Sequence, residues 1–199
     1  MKESNKYFEE DVPSQRLNLI NQIKNHKILR LVRYSTLSPE DAAGPYKIPH
    51  LPNSLFRLTS GPLLMTLESG LTIGFASLPE LVSITLWVEE TESGEHSDEG
   101  RISEDSQLFS IDSCDPVYSE KSICQLIGKQ VIRIKLLKRR PKSARVASRP
   151  CEAGMIFEVE GGFEFILSDG LHNYGDDFAI IYKHEILPYF MEQIEEIII

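Results

Sequence analysis

Apolar and polar residues alternate in two widely separated stretches of this 199-residue chain. In the first, Gly61 to Ser77, Leu63, Met65 and Leu67 alternate with Leu64, Thr66 and Glu68, and Leu71, Ile73 and Phe75 follow Ser69-Gly70. A period of two places one set of side chains on one face of a strand, and a glycine between two such runs supplies the reversal, so the pattern predicts a hairpin. Ser83 to Val88 adds a third strand, with Ile84, Leu86 and Val88 on one face and Trp87 on the other. The second stretch, Gly154 to Gly170, repeats this grammar. Phe157 and Val159 turn at Gly161-Gly162 into Phe163, Phe165 and Leu167, and Phe178 to Tyr182 follows as another strand.

The flanking segments predict helices and two more strands. Ser14 is a good N-cap for a helix through about Asn25, with Leu17, Ile20 and Ile23 along one face and Leu19 near its edge. Ile28 to Tyr34 reads as a strand, and the four prolines between Ser38 and Pro52 predict an extended connection without a helix. Ser119 to Ile127 reads as a short helix stopped by Gly128. Val131 to Lys138 reads as a strand with Ile132, Ile134 and Leu136 pointing one way and Arg133 and Lys135 outward, followed by a mobile loop to Arg149. A final helix is predicted over Glu185 to Glu196, with Pro188 in its first turn and Leu187, Phe190, Met191 and Ile194 facing the core. The expected architecture is α+β: a flexible tail over 1–13, then one domain over 14–199 built from two helix–strand–hairpin–strand halves, about 14–110 and 118–199. The sheet is mainly antiparallel, with helices on one face or at the ends.

Composition narrows the class. Apolar residues at 41% and charged residues at 26% match a globular chain long enough to bury its own core. No apolar run approaches a membrane span, and MKESNKYFEEDVPSQ lacks the hydrophobic segment of a secretory signal. Cys114, Cys124 and Cys151 are an odd count without CxxC spacing, so free buried thiols and a cytoplasmic location are expected.

Charge changes the picture more. The formal net charge of −9 argues against direct nucleic-acid binding and fits a basic protein partner. The charge is also segregated. Glu89, Glu90, Glu92, Glu95, Asp98, Glu99, Glu104 and Asp105 stand against Arg101 alone, whereas Lys129 to Arg149 carries nine basic residues and no acidic one. The acidic run reads either as a solvated loop or as a surface that steers a cationic partner. The basic run reads as outward strand residues and a loop that neutralises the acidic segment.

Candidate chemistry is sparse. None of the five histidines pairs at metal-ligand spacing on a helix, and HExxH, GxSxG, P-loop and GxGxxG motifs are absent. Tyr174-Gly175-Asp176-Asp177 looks like the YGDD string of viral RNA-dependent RNA polymerases, but it stands without the length and the further aspartate such enzymes use, and it reads as a turn. No catalytic residue, metal or cofactor is expected. Trp87 reads as core packing or an interface anchor. The closing Ile197-Ile198-Ile199 must pack back on the fold or contact another chain, which leaves room for a homodimer. PKSARVASRP, 141–150, resembles a disordered basic linker without the interleaved aromatics that stack nucleic-acid bases.

The strings GPLLMTLESGLTIGFASLPELVSITLW and GMIFEVEGGFEFILSDG, with DDFAIIY after the second, resemble those of small acidic immunity proteins of bacterial polymorphic-toxin systems. That resemblance implies a cytosolic, non-catalytic protein that binds a cognate toxin and covers its active site. The implied contact is first the acidic segment Glu89 to Asp105 and second the Asp176-Asp177 edge. The alternative is a non-catalytic adaptor that holds a partner through a sheet edge or the C-terminal helix.

Overall fold

The computed structural model describes residues 10–42, 52–97, 100–172 and 178–199. In chain order these form α1 (Leu17–Ile23), β1 (Ile28–Ser35), α2 (Pro39–Ala42), α3 (Leu55–Leu58), β2 (Leu63–Leu67), β3 (Thr72–Leu78), β4 (Ser83–Glu90) and β5 (Phe109–Asp112). Then follow α4 (Lys121–Cys124), β6 (Val131–Arg139), α5 (Ala144–Ala147), β7 (Glu152–Val159), β8 (Phe163–Asp169), β9 (Phe178–Ile181), α6 (Pro188–Met191) and β10 (Ile194–Ile198). The class is α+β, with two five-stranded antiparallel sheets ordered β4-β3-β2-β1-β5 and β10-β6-β7-β8-β9. Each sheet is a four-strand meander whose fifth strand returns to the free edge of the first.

The correspondence extends to single hydrogen bonds. Lys27 and Gln130 form an antiparallel bridge just before β1 and β6. The bonds around it fall into two pairs that exchange when the halves are exchanged. Asn25 N–H donates to the Val131 carbonyl (2.8 Å) as Gly128 N–H does to that of Ile28 (2.7 Å). Val131 N–H donates to the His26 carbonyl (3.0 Å) as Ile28 N–H does to that of Lys129 (2.9 Å). Asn25 and Gly128, the matching positions, both have positive φ, 66° and 80°. Asn and Gly are the residues that adopt this conformation at least cost. Both first strands also carry an irregularity at the same place, between Ile28 and Arg30 and between Val131 and Arg133.

Alternation along the strands builds the core. Leu63, Met65, Leu67, Ile73, Phe75, Ile84, Leu86 and Val88 of the first sheet share one buried cluster with Met155, Phe157, Val159, Phe165, Leu167, Phe178 and Ile180 of the second. The Phe75 ring stands edge-on to Phe157 at 6.0 Å, and Phe157 stacks on Phe165 at 5.0 Å. Each fully buried large side chain of this kind contributes on the order of 2 kcal/mol. The outer faces carry smaller clusters, Val32, Tyr34, Leu64 and Trp87 on the first sheet and a larger set around Ile156, Ile166 and Phe190 on the second.

Two buried arginines tie the first half to the outer edge of β9. Arg33 of β1, fully buried, donates through Nη2 to the carbonyls of Thr59 and Phe178 (2.5 Å to the latter), with its guanidinium 4.4 Å from the Phe178 ring centroid. Arg57 of α3 donates through Nη1 to the Ile180 carbonyl (3.0 Å) and to Glu185 (2.8 Å), and through Nε to Glu120 (2.9 Å). Carbonyls that an edge strand would otherwise leave exposed or unpaired are thus satisfied by charged donors. Burial works to lower the Arg57 pKa, but hydrogen bonds and charge from Glu185 and Glu120 outweigh it and the net direction is up. Glu185 is the counterpart: burial raises its pKa, the bonds from Arg57 and the Tyr182 amide lower it, and the net direction is down.

Several expectations are corrected. Ser14 lies in a 3-10 turn, Pro13–Gln15, and its amide donates to Glu152; α1 starts after Arg16, with Leu19, Ile20 and Ile23 buried and Leu17 exposed. The expected tail is already anchored at Asp11, which bridges to Leu86, and Val12 is buried. The proline-rich connection contains α2, where Ser38 Oγ accepts from the Asp41 amide. In β6 the irregularity turns Ile132 outward and puts Val131, Ile134 and Leu136 in the core. The 141–150 segment, expected to be a mobile linker, carries α5. The final helix is reduced to α6, because Ile194–Ile198 instead pairs with the open edge of β6 as β10, leaving Phe190 buried and Met191 exposed. Cys114 and Cys124 form a disulfide across 10 residues, and only Cys151 is a free buried thiol. The thiol argument for a reducing compartment therefore falls.

Replacing Arg57 by Met should strand Glu120, Glu185 and the Ile180 carbonyl, and should cost about 3 kcal/mol in urea unfolding at neutral pH. Because the folded-state pKa of Glu185 is depressed, its contribution is present above the unfolded carboxylate pKa and is lost as pH falls through the folded value. Acidification should therefore destabilise the native protein more than R57M.

Candidate partner-binding surface

The acidic segment begins on β4, where the period of two puts Trp87 and Glu89 on the same outer face. The Trp87 ring lies across Gly74 on the neighbouring strand; a Cβ there would meet Trp87 Cε2 at 2.1 Å. Glycine at this position is a requirement of packing rather than of φ. Trp87 Nε1 donates to Glu89 Oε2 (2.9 Å), and the other carboxylate oxygen accepts from the Ile102 amide (2.6 Å). Glu89 is thereby buried, 7% exposed, with both oxygens occupied. This pins the chain beyond the hairpin back over the first sheet, where Ile102 and Leu108 pack on Val32, Tyr34, Leu64 and Trp87. Tyr34, in the same cluster, has its pKa raised by burial, with Arg30 lowering and Glu89 raising it.

Beyond this anchor the segment is a built turn. The Thr91 amide donates to the Glu95 carbonyl (2.8 Å), the Glu95 amide to Thr91 Oγ1 (3.0 Å) and the Gly94 amide to the Thr91 carbonyl (2.9 Å). Arg101 Nη2 reaches Glu90 (3.3 Å) and the Gly94 carbonyl (3.4 Å). The 3-10 turn Ile102–Glu104 follows, and Asp105 Oδ1 accepts from the Gln107 amide (2.8 Å).

The predicted site residues thus divide. Glu89 is structural and inaccessible, a correction to its place among the contact residues, and Glu90 is half-buried against Arg101. Glu92 and Glu95 are exposed on the turn after β4, and Glu104 and Asp105 are exposed at the 3-10 turn Ile102–Glu104, with Glu104 at 4.0 Å from Arg101 Nη1. Asp98, Glu99, Asp176 and Asp177 lie outside the described residues, as does the YGDD string.

The basic run forms no ion pair with the acidic segment among the described residues. Among the described residues, its ion pairs go to carboxylates of the second half: Arg133 to Glu158 (3.0 Å), Lys135 to Glu158 (2.7 Å) and Glu196 (3.5 Å), and Arg140 to Glu195. The hydrogen bond from Glu158 raises the Lys135 pKa, and the reciprocal bond lowers that of Glu158. Among the described residues, no group of three His, Cys, Asp or Glu side chains could hold a metal ion, and no helix is long and apolar enough to cross a membrane. No protein-family model, curated protein or solved structure matches this chain.

Sequence reading treated all eight acids alike. The Trp87–Glu89 spacing held a signal that one of them is a buried partner, since an indole N–H inside a cluster needs an acceptor. Gly74→Ala should eject the indole and cost about 1–3 kcal/mol, read by chemical denaturation. As Trp87 is the one tryptophan, its fluorescence should shift to the red in the folded variant; an unshifted spectrum would mean the ring does not lie on Gly74.

Proposed function

We propose that this protein is a non-catalytic binding protein that neutralises a basic protein partner, in the manner of a toxin immunity protein, and that Glu92, Glu95, Glu104 and Asp105 form its contact. The observation that carries this reading is an acidic turn held on the first sheet by the Trp87–Glu89–Ile102 anchor, while among the described residues the ion pairs of the basic run go to carboxylates of the second half. A flexible acidic tail would have to order itself on binding. Carboxylates carried on a hydrogen-bonded backbone reduce that cost, and their field accelerates encounter with a cationic surface. The basic cleft of an enzyme that acts on nucleic acid is one such surface, and carboxylates can occupy phosphate positions within it.

A second reading, an adaptor that pairs through a sheet edge, is favoured by β10. Among the described residues it pairs with β6 alone, at the edge of the second sheet, and it exposes Ile197 and Ile198, the latter 71% accessible.

Affinity capture of the tagged protein from its host, followed by kinetics on the recovered partner, separates the two. For the neutraliser, the combined variant E92Q/E95Q/E104Q/D105N should slow association by about tenfold at low salt and flatten its salt dependence, with little change in dissociation. Unchanged association would remove the acidic turn from the contact. Loss of binding in Ile198→Lys instead would favour the adaptor.

A further inference from the structure

A cleft opens where the two halves meet, lined by residues outside the acidic segment. It has a volume of about 490 Å³, within the ordinary range for small-molecule sites, and lies where the Pro79–Leu81 turn of the first half meets the 141–146 loop and α6 of the second. Its polar wall is Arg139 and Lys142, its apolar wall includes Val82 and Val146, and Tyr189 stands at its lip, 52% exposed.

Arg139 is held but not neutralised. Its Nε donates to Gln193 Oε1 and its Nη2 to the Tyr189 hydroxyl, both at 3.4 Å, and its guanidinium sits 4.4 Å from the Phe190 ring centroid. These neutral partners orient the planar fork without supplying a counter-charge. Among the described residues, no carboxylate forms an ion pair with Arg139, Lys142, Lys138, Arg145 or Arg149, whereas the other cations of the same strand, Arg133 and Lys135, are paired. Asp169 also lines the cleft, its Oδ1 accepting from Ser77 Oγ; that bond orients the carboxylate and leaves its charge, so among the described residues the cleft has one acidic residue beside the two cations Arg139 and Lys142. The wall is strained as well. Val82 on the wall has φ +54°, a conformation β-branched residues rarely adopt, and the buried Cys151 beside the wall has the same φ and donates its amide to the Leu81 carbonyl (3.3 Å). Backbone strain of this kind persists where the surroundings over-determine it, and it concentrates at ligand clamps.

We infer that this cleft binds a small organic phosphomonoester of mononucleotide size, its phosphate on Arg139 and Lys142 and its ring between Tyr189 and the Val82–Val146 wall. A guanidinium fork matches two phosphate oxygens, and a lysine adds a point charge to the third. An aromatic lip and apolar walls give the body of the ligand its own contact, which inorganic phosphate lacks. A polyanion is disfavoured because the molecule as a whole carries a net charge of −9. This inference is independent of the acidic-turn reading and stands or falls apart from it.

Calorimetric titration of the full chain with adenosine 5′-monophosphate, inorganic phosphate and adenosine tests it. Saturable one-to-one binding of the monophosphate is expected, weaker binding of phosphate, and none of adenosine. Arg139→Gln should weaken the monophosphate by about tenfold or more, and Lys142→Gln, at an exposed position that does not threaten folding, by about threefold or more. Arg133→Gln makes the same charge change at a paired residue and should leave binding unaltered. The inference is overturned by any of four results: no saturable binding at millimolar monophosphate, equal weakening by R133Q, phosphate or adenosine binding as tightly as the monophosphate, or K142Q and a folded R139Q both binding like the native protein. Tighter binding of an RNA oligonucleotide would also overturn it, by making the basic wall a nucleic-acid surface.

Discussion

Strand β9 ends the second sheet with a row of carbonyls that must find donors inside the protein, and the first half supplies them. Arg33 reaches Phe178 and Arg57 reaches Ile180, so the edge of one sheet is completed by side chains of the other half. Burying two guanidinium groups is costly unless each finds acceptors and countercharge. Arg57 finds both in Glu120 and Glu185, and Arg33 donates to the Thr59 and Phe178 carbonyls with its guanidinium over the Phe178 ring. The shared core between the sheets has its spacing and registration set by these contacts as well as by apolar packing. Removing either arginine would open an edge and strand its partners at once.

A second constraint acts where the Lys27–Gln130 bridge joins the starts of the two first strands. Its hydrogen bonds exchange with one another when the halves exchange. Asn25 and Gly128 meet the same backbone demand with the two residue types suited to it. The same strand order and the same irregularity at the start of β1 and β6 then follow in each sheet. The halves diverge on their outer faces. The first covers its face with the acidic turn, held by a buried glutamate; the second covers its face with α6 and neighbouring apolar residues and sends its basic loop over one end. Opposite charge is thereby displayed from different parts of one scaffold.

That separation gives the two charged regions different chemistry. The acidic turn carries exposed carboxylates. The basic region surrounds a cleft, a geometry for enclosing something small. Sequence charge alone counted eight acids against nine bases and offered mutual neutralisation as one outcome. Among the described residues, the ion pairs show the bases of β6 occupied by Glu158 and Glu196 instead.

Local periodicity was sufficient for the hairpins at Ser69-Gly70 and Gly161-Gly162, for the strands of both meanders and for the α+β class, because a period of two and a tight turn are backbone properties encoded within a few residues. The same local signals misassigned the C-terminal segment. Leu187, Phe190, Met191 and Ile194 have helical spacing, but the open edge of β6 rewards pairing of Ile194–Ile198 more than a helix would be rewarded by its own bonds. The burial of Glu89, the Cys114–Cys124 bond and the meeting of Tyr189 with Arg139 were also decided by the tertiary structure. Each depends on a partner brought from elsewhere in the chain, and a residue's neighbours in space are set by the packing of whole sheets rather than by the few positions beside it.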